Sequence, residues 1–74
     1  MKLPRNLLGI KFIKVLTKDY GWQVHRREGS HITLKKEGMR ELLTVYVNKP
    51  LTQGALLSTL RKANIEKEDF IAKL

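Results

Sequence analysis

The chain contains no cysteine, only two histidines and no long apolar stretch, and these scarcities exclude several functions. Without cysteine there is no disulfide, no thiolate metal site and no cysteine nucleophile. The apolar runs are too short to cross a bilayer, and the first residues do not lead into an uninterrupted apolar region. We therefore expect a cytoplasmic protein with no targeting segment and no membrane partner.

Size and charge give the next limits. With 74 residues the chain can bury one modest core, and we expect a single domain over residues 1–74. Fifteen Lys and Arg against seven Asp and Glu give a formal charge of +8, and residues 1–49 hold 11 of the basic residues. Such a surface favours a polyanion, namely nucleic acid, an acidic protein or an anionic membrane, although basic residues also keep small proteins soluble.

Apolar residues at helical spacing predict three helices. The first covers residues 9–20, and Gly21 follows as its C-terminal cap. Thr52 is the expected N-cap of a second helix over residues 53–63, after a loop at residues 48–51. A short third helix is expected over residues 66–73, with acidic residues in its first turn.

Alternating residues predict three strands, over residues 22–27, 31–36 and 41–47. Each has an apolar and a polar side, which indicates an α+β fold in which helices cover one face of a three-stranded antiparallel sheet. The covered side is expected to hold Trp22, Val24, Ile32, Leu34, Val45 and Val47. The open side is expected to hold Gln23, His25, Arg27, His31, Thr33, Lys35, Thr44 and Tyr46. This order of elements is also that of the double-stranded-RNA-binding domain.

His31 is the first candidate for chemistry, because it opens a strand after Gly29-Ser30 and faces the open side. An imidazole exchanges protons near neutral pH, and metal-free RNA cleavage needs a base for the ribose 2′-hydroxyl and an acid for the leaving oxygen. The alternative is a surface histidine without a task. Two histidines without cysteine or suitably spaced carboxylates are too few for a metal site, so no metal or other cofactor is expected.

Basic and aromatic residues near His31 are candidates for RNA contacts. Lysines and arginines can bind phosphates, and Tyr46 can stack on a base, whereas the alternatives are a solvated basic rim and a tyrosine chosen for strand packing. Glu28 can assist catalysis or simply precede a turn. The candidate RNA-binding residues are Ser30, His25, Arg26, Arg27, Lys35, Lys36, Tyr46 and Lys49.

Several segments, in order, resemble the HicA toxin family, also called the YcfA-like family. They are Leu3-Pro4-Arg5, Gly21-Trp22, Arg27-Glu28-Gly29-Ser30-His31, Val45-Tyr46-Val47-Asn48-Lys49-Pro50-Leu51, Gly54-Ala55-Leu56, Leu60-Arg61-Lys62-Ala63-Asn64-Ile65 and Glu68-Asp69-Phe70. The Gly-Ser-His turn and the Leu-Arg-Lys-Ala-x-Ile segment are the most specific of these, and the resemblance covers nearly the whole chain.

The resemblance implies a double-stranded-RNA-binding-like fold and a ribosome-independent messenger-RNA interferase of a toxin–antitoxin system. It implies that His31 is catalytic. A HicB antitoxin would bind the toxin, block its site and contact DNA for the pair, so DNA is only an indirect partner.

The chain departs from the family at one position. Many members carry a second histidine after the third strand, where this sequence has Asn48. Asparagine can form hydrogen bonds but cannot exchange protons. If that histidine takes part in cleavage, this chain is slow or inactive; if it positions RNA or packs the loop, nothing is lost. The alternatives to an active toxin are therefore a non-catalytic RNA-binding module and an inactivated toxin that only binds its antitoxin.

Overall fold

The helices and strands follow one another in the predicted order, with two short strands added. The computed structural model describes residues 3–74, so the first two residues of the expected 1–74 domain lie outside the described range. The elements are β1 (Leu7–Leu8), α1 (Gly9–Asp19), β2 (Gln23–Glu28), β3 (His31–Lys35), β4 (Leu43–Tyr46), β5 (Pro50–Leu51), α2 (Gln53–Lys62) and α3 (Lys67–Ala72). The α+β class is confirmed, and the order α-β-β-β-α matches the double-stranded-RNA-binding domain.

Helix α1 buries Phe12, Ile13 and Leu16 on one face. Gly21 follows the helix with φ +75°, a left-handed conformation that costs glycine little because it has no β carbon. The N–H of Trp22 then donates to the carbonyl oxygen of Leu16 (3.1 Å). The predicted glycine cap is confirmed, and it turns the chain from the helix into the sheet.

The main sheet is antiparallel with the order β2-β3-β4, so β3 is central. Glu28 pairs directly with His31, which leaves Gly29 and Ser30 as a two-residue turn between β2 and β3. Gly29 has φ +60° at the first central position, the pattern of a type II′ hairpin turn. The observed strands differ from the predicted ones by one or two residues at their ends.

A β-bulge interrupts the pairing of β2 with β3. Val24 lies opposite Leu34, but the next paired residue of β2 is Arg26, opposite Thr33. His25 is therefore the extra residue of the bulge and has no partner in the β2–β3 register.

The bulge reverses the side on which the two arginines of β2 lie. Arg26 shares the face of Thr33, whereas Arg27 lies opposite Ile32 and shares the face that the helices cover. The prediction that Arg27 lies on the open side is wrong, because the extra residue shifts the alternation by one and brings Arg26 to that side instead.

Val24 is a second correction to the predicted core. It lies on the same face as Leu34, yet 51% of it is exposed. Strand β2 is an edge strand whose six residues are all exposed, and the buried apolar residue of this segment is Trp22, which precedes the strand. The covering layer therefore packs on the start of this segment rather than on the strand itself.

The core lies between the sheet and the helices. Phe12 and Phe70 meet edge to face with ring centroids 5.4 Å apart, which joins α1 to α3. Thr52 caps α2 as predicted, because its side-chain oxygen accepts a hydrogen bond from the N–H of Ala55 (3.0 Å). Leu74, which follows α3, is 53% exposed. The buried apolar residues are Leu3, Leu7, Phe12, Ile13, Leu16, Trp22, Ile32, Leu34, Leu43, Val45, Leu56, Leu60, Ala63 and Phe70.

A small second sheet replaces part of the predicted loop at residues 48–51. Strands β1 and β5 pair antiparallel, with Leu7 opposite Leu51 and Leu8 opposite Pro50. Immediately afterwards the N–H of Gly9 donates to the carbonyl oxygen of Lys49 (3.0 Å). The start of α1 is thereby fixed to the loop between β4 and β5, and it holds that loop at the end of the main sheet.

Candidate nucleic-acid interface

The open face of the sheet, opposite the helices, carries a row of three residues from three strands. His31 on the central strand lies opposite Glu28 of β2 on one side and opposite Tyr46 of β4 on the other. Directly opposed residues of an antiparallel sheet point to the same face, and all three residues are exposed. We call Glu28, His31 and Tyr46 the open-face row.

The rings of His31 and Tyr46 are in contact. Their centroids lie 4.1 Å apart with an interplanar angle of 63°, an edge-to-face arrangement. The N–H of Val47 donates to the carbonyl oxygen of Ser30 (2.9 Å), so the adjacent pair His31–Tyr46 is a non-hydrogen-bonded pair. Side chains approach most closely at such pairs, which explains why these two rings meet.

Lys49 extends the row beyond β4. Its Nζ lies 5.3 Å from the centroid of the Tyr46 ring, within the range of a cation–π interaction. The backbone of Lys49 is held by the hydrogen bond from Gly9, and the N–H of Ile10 donates to Val47 in the same loop (3.2 Å). The backbone from which the Lys49 side chain extends is therefore held next to the row.

An ion pair lies at the other end of the row. The Nε of Arg26 is 3.1 Å from a carboxylate oxygen of Glu28, and the two side chains are 67% and 68% exposed. Such an exposed pair adds little to stability. Its consequence is local, because it places one cation and one carboxylate next to His31 on the open face.

The structure brings together some of the predicted RNA-binding residues and not others. Tyr46 contacts His31, and Ser30 lies in the turn just before it. Lys49 reaches the Tyr46 ring and Arg26 reaches Glu28, so both basic residues contact neighbours of His31. Lys35 lies on the same face, four residues along β3 and thus about 13 Å from His31. His25 is exposed in the bulge.

Two predicted RNA-binding residues lie away from the row. Arg27 lies on the helix-covered side, where its Nε donates to the carbonyl oxygen of Gly29 (3.1 Å) and braces the turn. Lys36 is half-buried and lines a pocket with Tyr20 and Asp69, on the helix side of the sheet.

Glu28 is a direct cross-strand neighbour of His31 and is not among the predicted RNA-binding residues. Its position three residues before His31, across Gly29 and Ser30, is the spacing of residues that face each other across a two-residue hairpin turn. In the sequence, that spacing alone indicates that the carboxylate of Glu28 lies opposite the imidazole of His31.

A second polar contact lies far from the row and ties α1 to α3. The hydroxyl of Tyr20 donates to a carboxylate oxygen of Asp69. Desolvation of the phenol, together with the hydrogen bond to that carboxylate and its negative charge, raises the pKa of Tyr20 above its usual range. This contact joins two helices on the side opposite the open face, so its role is structural.

Two classes of site are not represented among residues 3–74. The described histidines and carboxylates form no group of three that could hold a metal ion. The described helices include none that is long and apolar enough to cross a membrane.

The fold and the open face define a small, basic α+β protein of the double-stranded-RNA-binding-domain type with an exposed histidine at the hairpin turn. A family model described as HicA toxin of bacterial toxin–antitoxin matches residues 9–65, which include every strand of the main sheet. The chain therefore belongs to the HicA toxin family of bacterial toxin–antitoxin systems, and membership implies an antitoxin partner. No curated protein and no solved structure matches the chain.

Proposed function

We propose that this protein is a metal-independent endoribonuclease that cleaves messenger RNA in the cytoplasm and is inhibited by a HicB-type antitoxin. The observation that supports this most directly is the exposed His31 on the open face, in contact with Tyr46 and close to basic side chains. Family membership adds the toxin role. The proposal assigns His31 the proton transfer and assigns its neighbours the binding of RNA.

The chemistry requires few groups. The 2′-hydroxyl of a ribose attacks the adjacent phosphorus, and the 5′-oxygen of the next nucleotide leaves, so one proton is removed and another is supplied. His31 is suited to exchange one of them because imidazole titrates near neutral pH. Arg26 and Lys49 can neutralise phosphate charge, and the Tyr46 ring offers a face on which a base can stack.

The antitoxin is proposed to cover the same face. The chain has a formal charge of +8, which attracts a partner with an acidic surface just as it attracts RNA. Covering the row would exclude RNA without any change in the fold of the toxin. RNA and antitoxin should therefore compete for this surface.

A second candidate function is RNA or antitoxin binding without cleavage. Asn48 favours it, because this residue stands in the exposed turn after β4 where many family members have a second histidine. If cleavage requires that histidine, the chain retains the binding face but lacks one proton-transfer group.

One experiment separates the two functions. Wild type and His31→Ala are induced in cells to follow growth, and the purified proteins are incubated with messenger RNA in the presence of EDTA. Growth arrest and cleavage by wild type alone, with similar RNA affinity in both proteins, support the ribonuclease. His25→Ala is the matched comparison, since it removes the other histidine of the sheet, and it should lose less activity than His31→Ala. If wild type binds RNA without any cleavage, the ribonuclease proposal is wrong and the protein is a binding module.

A further inference from the structure

Cleavage by the proposed route needs two proton-transfer groups, and His31 is one. The second group has to lie within reach of the same phosphate. Asn48 cannot serve, because an amide does not exchange protons at the required rate. His25 lies in the bulge of β2, outside the open-face row. The second proton-transfer group is therefore sought among the residues of the row beside His31.

Glu28 meets the geometric requirement. It is the direct cross-strand partner of His31, so the Cβ atoms of the two residues are about 5 Å apart and both side chains rise from the same face. A phosphate with its flanking ribose can lie above this pair, with the carboxylate on one side and the imidazole on the other. Both groups are exposed, so RNA can reach them.

Arg26 holds the carboxylate of Glu28 in an ion pair. Its guanidinium approaches one oxygen of Glu28 at 3.1 Å and so limits the positions that the carboxylate adopts. A guanidinium has five N–H donors, so the remaining ones can bind non-bridging phosphate oxygens while the ion pair persists. Tyr46 cannot take the place of Glu28, because phenols retain their proton at neutral pH and are poor bases.

We propose that Glu28 is the general base and His31 the general acid of the cleavage step, an inference that rests on the proposed ribonuclease function. The Glu28 carboxylate takes the proton of the 2′-hydroxyl, and the 2′-oxygen forms a bond to phosphorus. The bond between phosphorus and the 5′-oxygen breaks, and protonated His31 gives its proton to that oxygen. The products are a 2′,3′-cyclic phosphate and a 5′-hydroxyl, and no metal, oxidant or water is consumed.

The test compares Glu28→Gln with wild type in single-turnover cleavage of a defined RNA, measured from pH 4 to pH 9 with EDTA present. Loss of a general base lowers the rate by about 100-fold or more. In wild type the rate should fall on both sides of an optimum, and in Glu28→Gln the fall on the acidic side should disappear. RNA affinity should be equal or higher, because a negative charge has been removed from the binding face. Glu37→Gln, in the exposed turn between β3 and β4, makes the same charge change away from the row and should cleave like wild type.

A second variant separates chemistry from folding. Glu28→Ala should regain part of its rate when formate is added, because a small carboxylate can occupy the space of the missing side chain, and thermal melting should show an intact fold. A Glu28→Gln protein that cleaves within threefold of wild type with an unchanged pH profile would overturn the assignment while leaving the ribonuclease function intact. A wild-type protein that binds RNA without cutting it would instead overturn both.

Discussion

Gly9 lies directly against the backbone carbonyl of Tyr46, with no space between them for a β carbon. The first residue of α1 is thus in contact with the strand that carries one residue of the open-face row. Any side chain at residue 9 has to displace backbone atoms of β4, which cannot move as freely as a side chain can. The packing of this helix end and the position of Tyr46 are therefore coupled.

We predict that Gly9→Ala lowers the free energy of unfolding by about 3 kcal/mol, the upper part of the range for overpacking. Gly54→Ala is the matched control. Gly54 lies in the first turn of α2 with no atom near its missing β carbon, and alanine there should be neutral or stabilising by up to about 1 kcal/mol. Urea denaturation followed by circular dichroism measures both. Equal stability of the two variants would show that the contact with Tyr46 relaxes without cost.

Two adjacent arginines should differ in their effect on RNA. Arg26 is on the open face beside His31, whereas Arg27 is on the other side and braces the turn. We predict that Arg26→Gln weakens RNA binding more than Arg27→Gln does. Loss of one phosphate contact should reduce the slope of log K against log salt by about 0.7 for single-stranded RNA. Binding titrations at several salt concentrations test this, and a larger loss for Arg27→Gln would contradict the face assignment.

Tyr20 should make stability depend on alkaline pH. Its pKa is raised in the folded protein, so the folded state keeps the phenolic proton while the unfolded state loses it above about pH 10. The stabilising contribution is complete below that pH and is lost as the pH rises further. We expect Tyr20→Phe to cost about 1 kcal/mol at pH 7 and to be closer to wild type at pH 11. Unfolding titrations at both pH values supply the comparison, and a constant difference would count against the contact with Asp69.

A substitution at Asn48 tests whether Glu28 and His31 supply both proton-transfer groups. If Glu28 and His31 supply both groups, then Asn48→His should change the single-turnover cleavage rate by less than threefold. A rate increase of tenfold or more would mean that a histidine in this turn takes over a step that the natural residue leaves unassisted. Asn64→His, in the turn after α2, is the control for adding a histidine to the surface.

Local patterns predicted much of the fold. The helical spacing of Phe12 and Leu16, the cap at Gly21 and the N-cap at Thr52 each depend on residues close in sequence, and all are found in the structure. The three strands of the main sheet were predicted for the same reason. Strand ends differ because pairing with a neighbour, and not the alternation of residue types, decides where a ladder stops.

Features that depend on contacts between distant parts of the chain were not predictable from these local patterns. The bulge at His25 depends on how β2 aligns with β3, and it alone decides which arginine lies beside His31. The pairing of Leu7 with Leu51 joins segments far apart in the chain and contains only two residues in each strand. The pairing of Glu28 with His31 depends on the two-residue turn between them, which the residue pattern alone does not fix.

The bulge and the basic residues of β2 also affect how copies of this protein meet. An unpaired edge strand can accept a strand from another molecule, which is how many sheet proteins aggregate. Here two copies that joined through β2 would bring His25, Arg26 and Arg27 of each chain together, with a bulge interrupting the ladder. Like charges and an irregular backbone both oppose that pairing. The β2 edge is therefore a poor template for strand addition between copies of this protein.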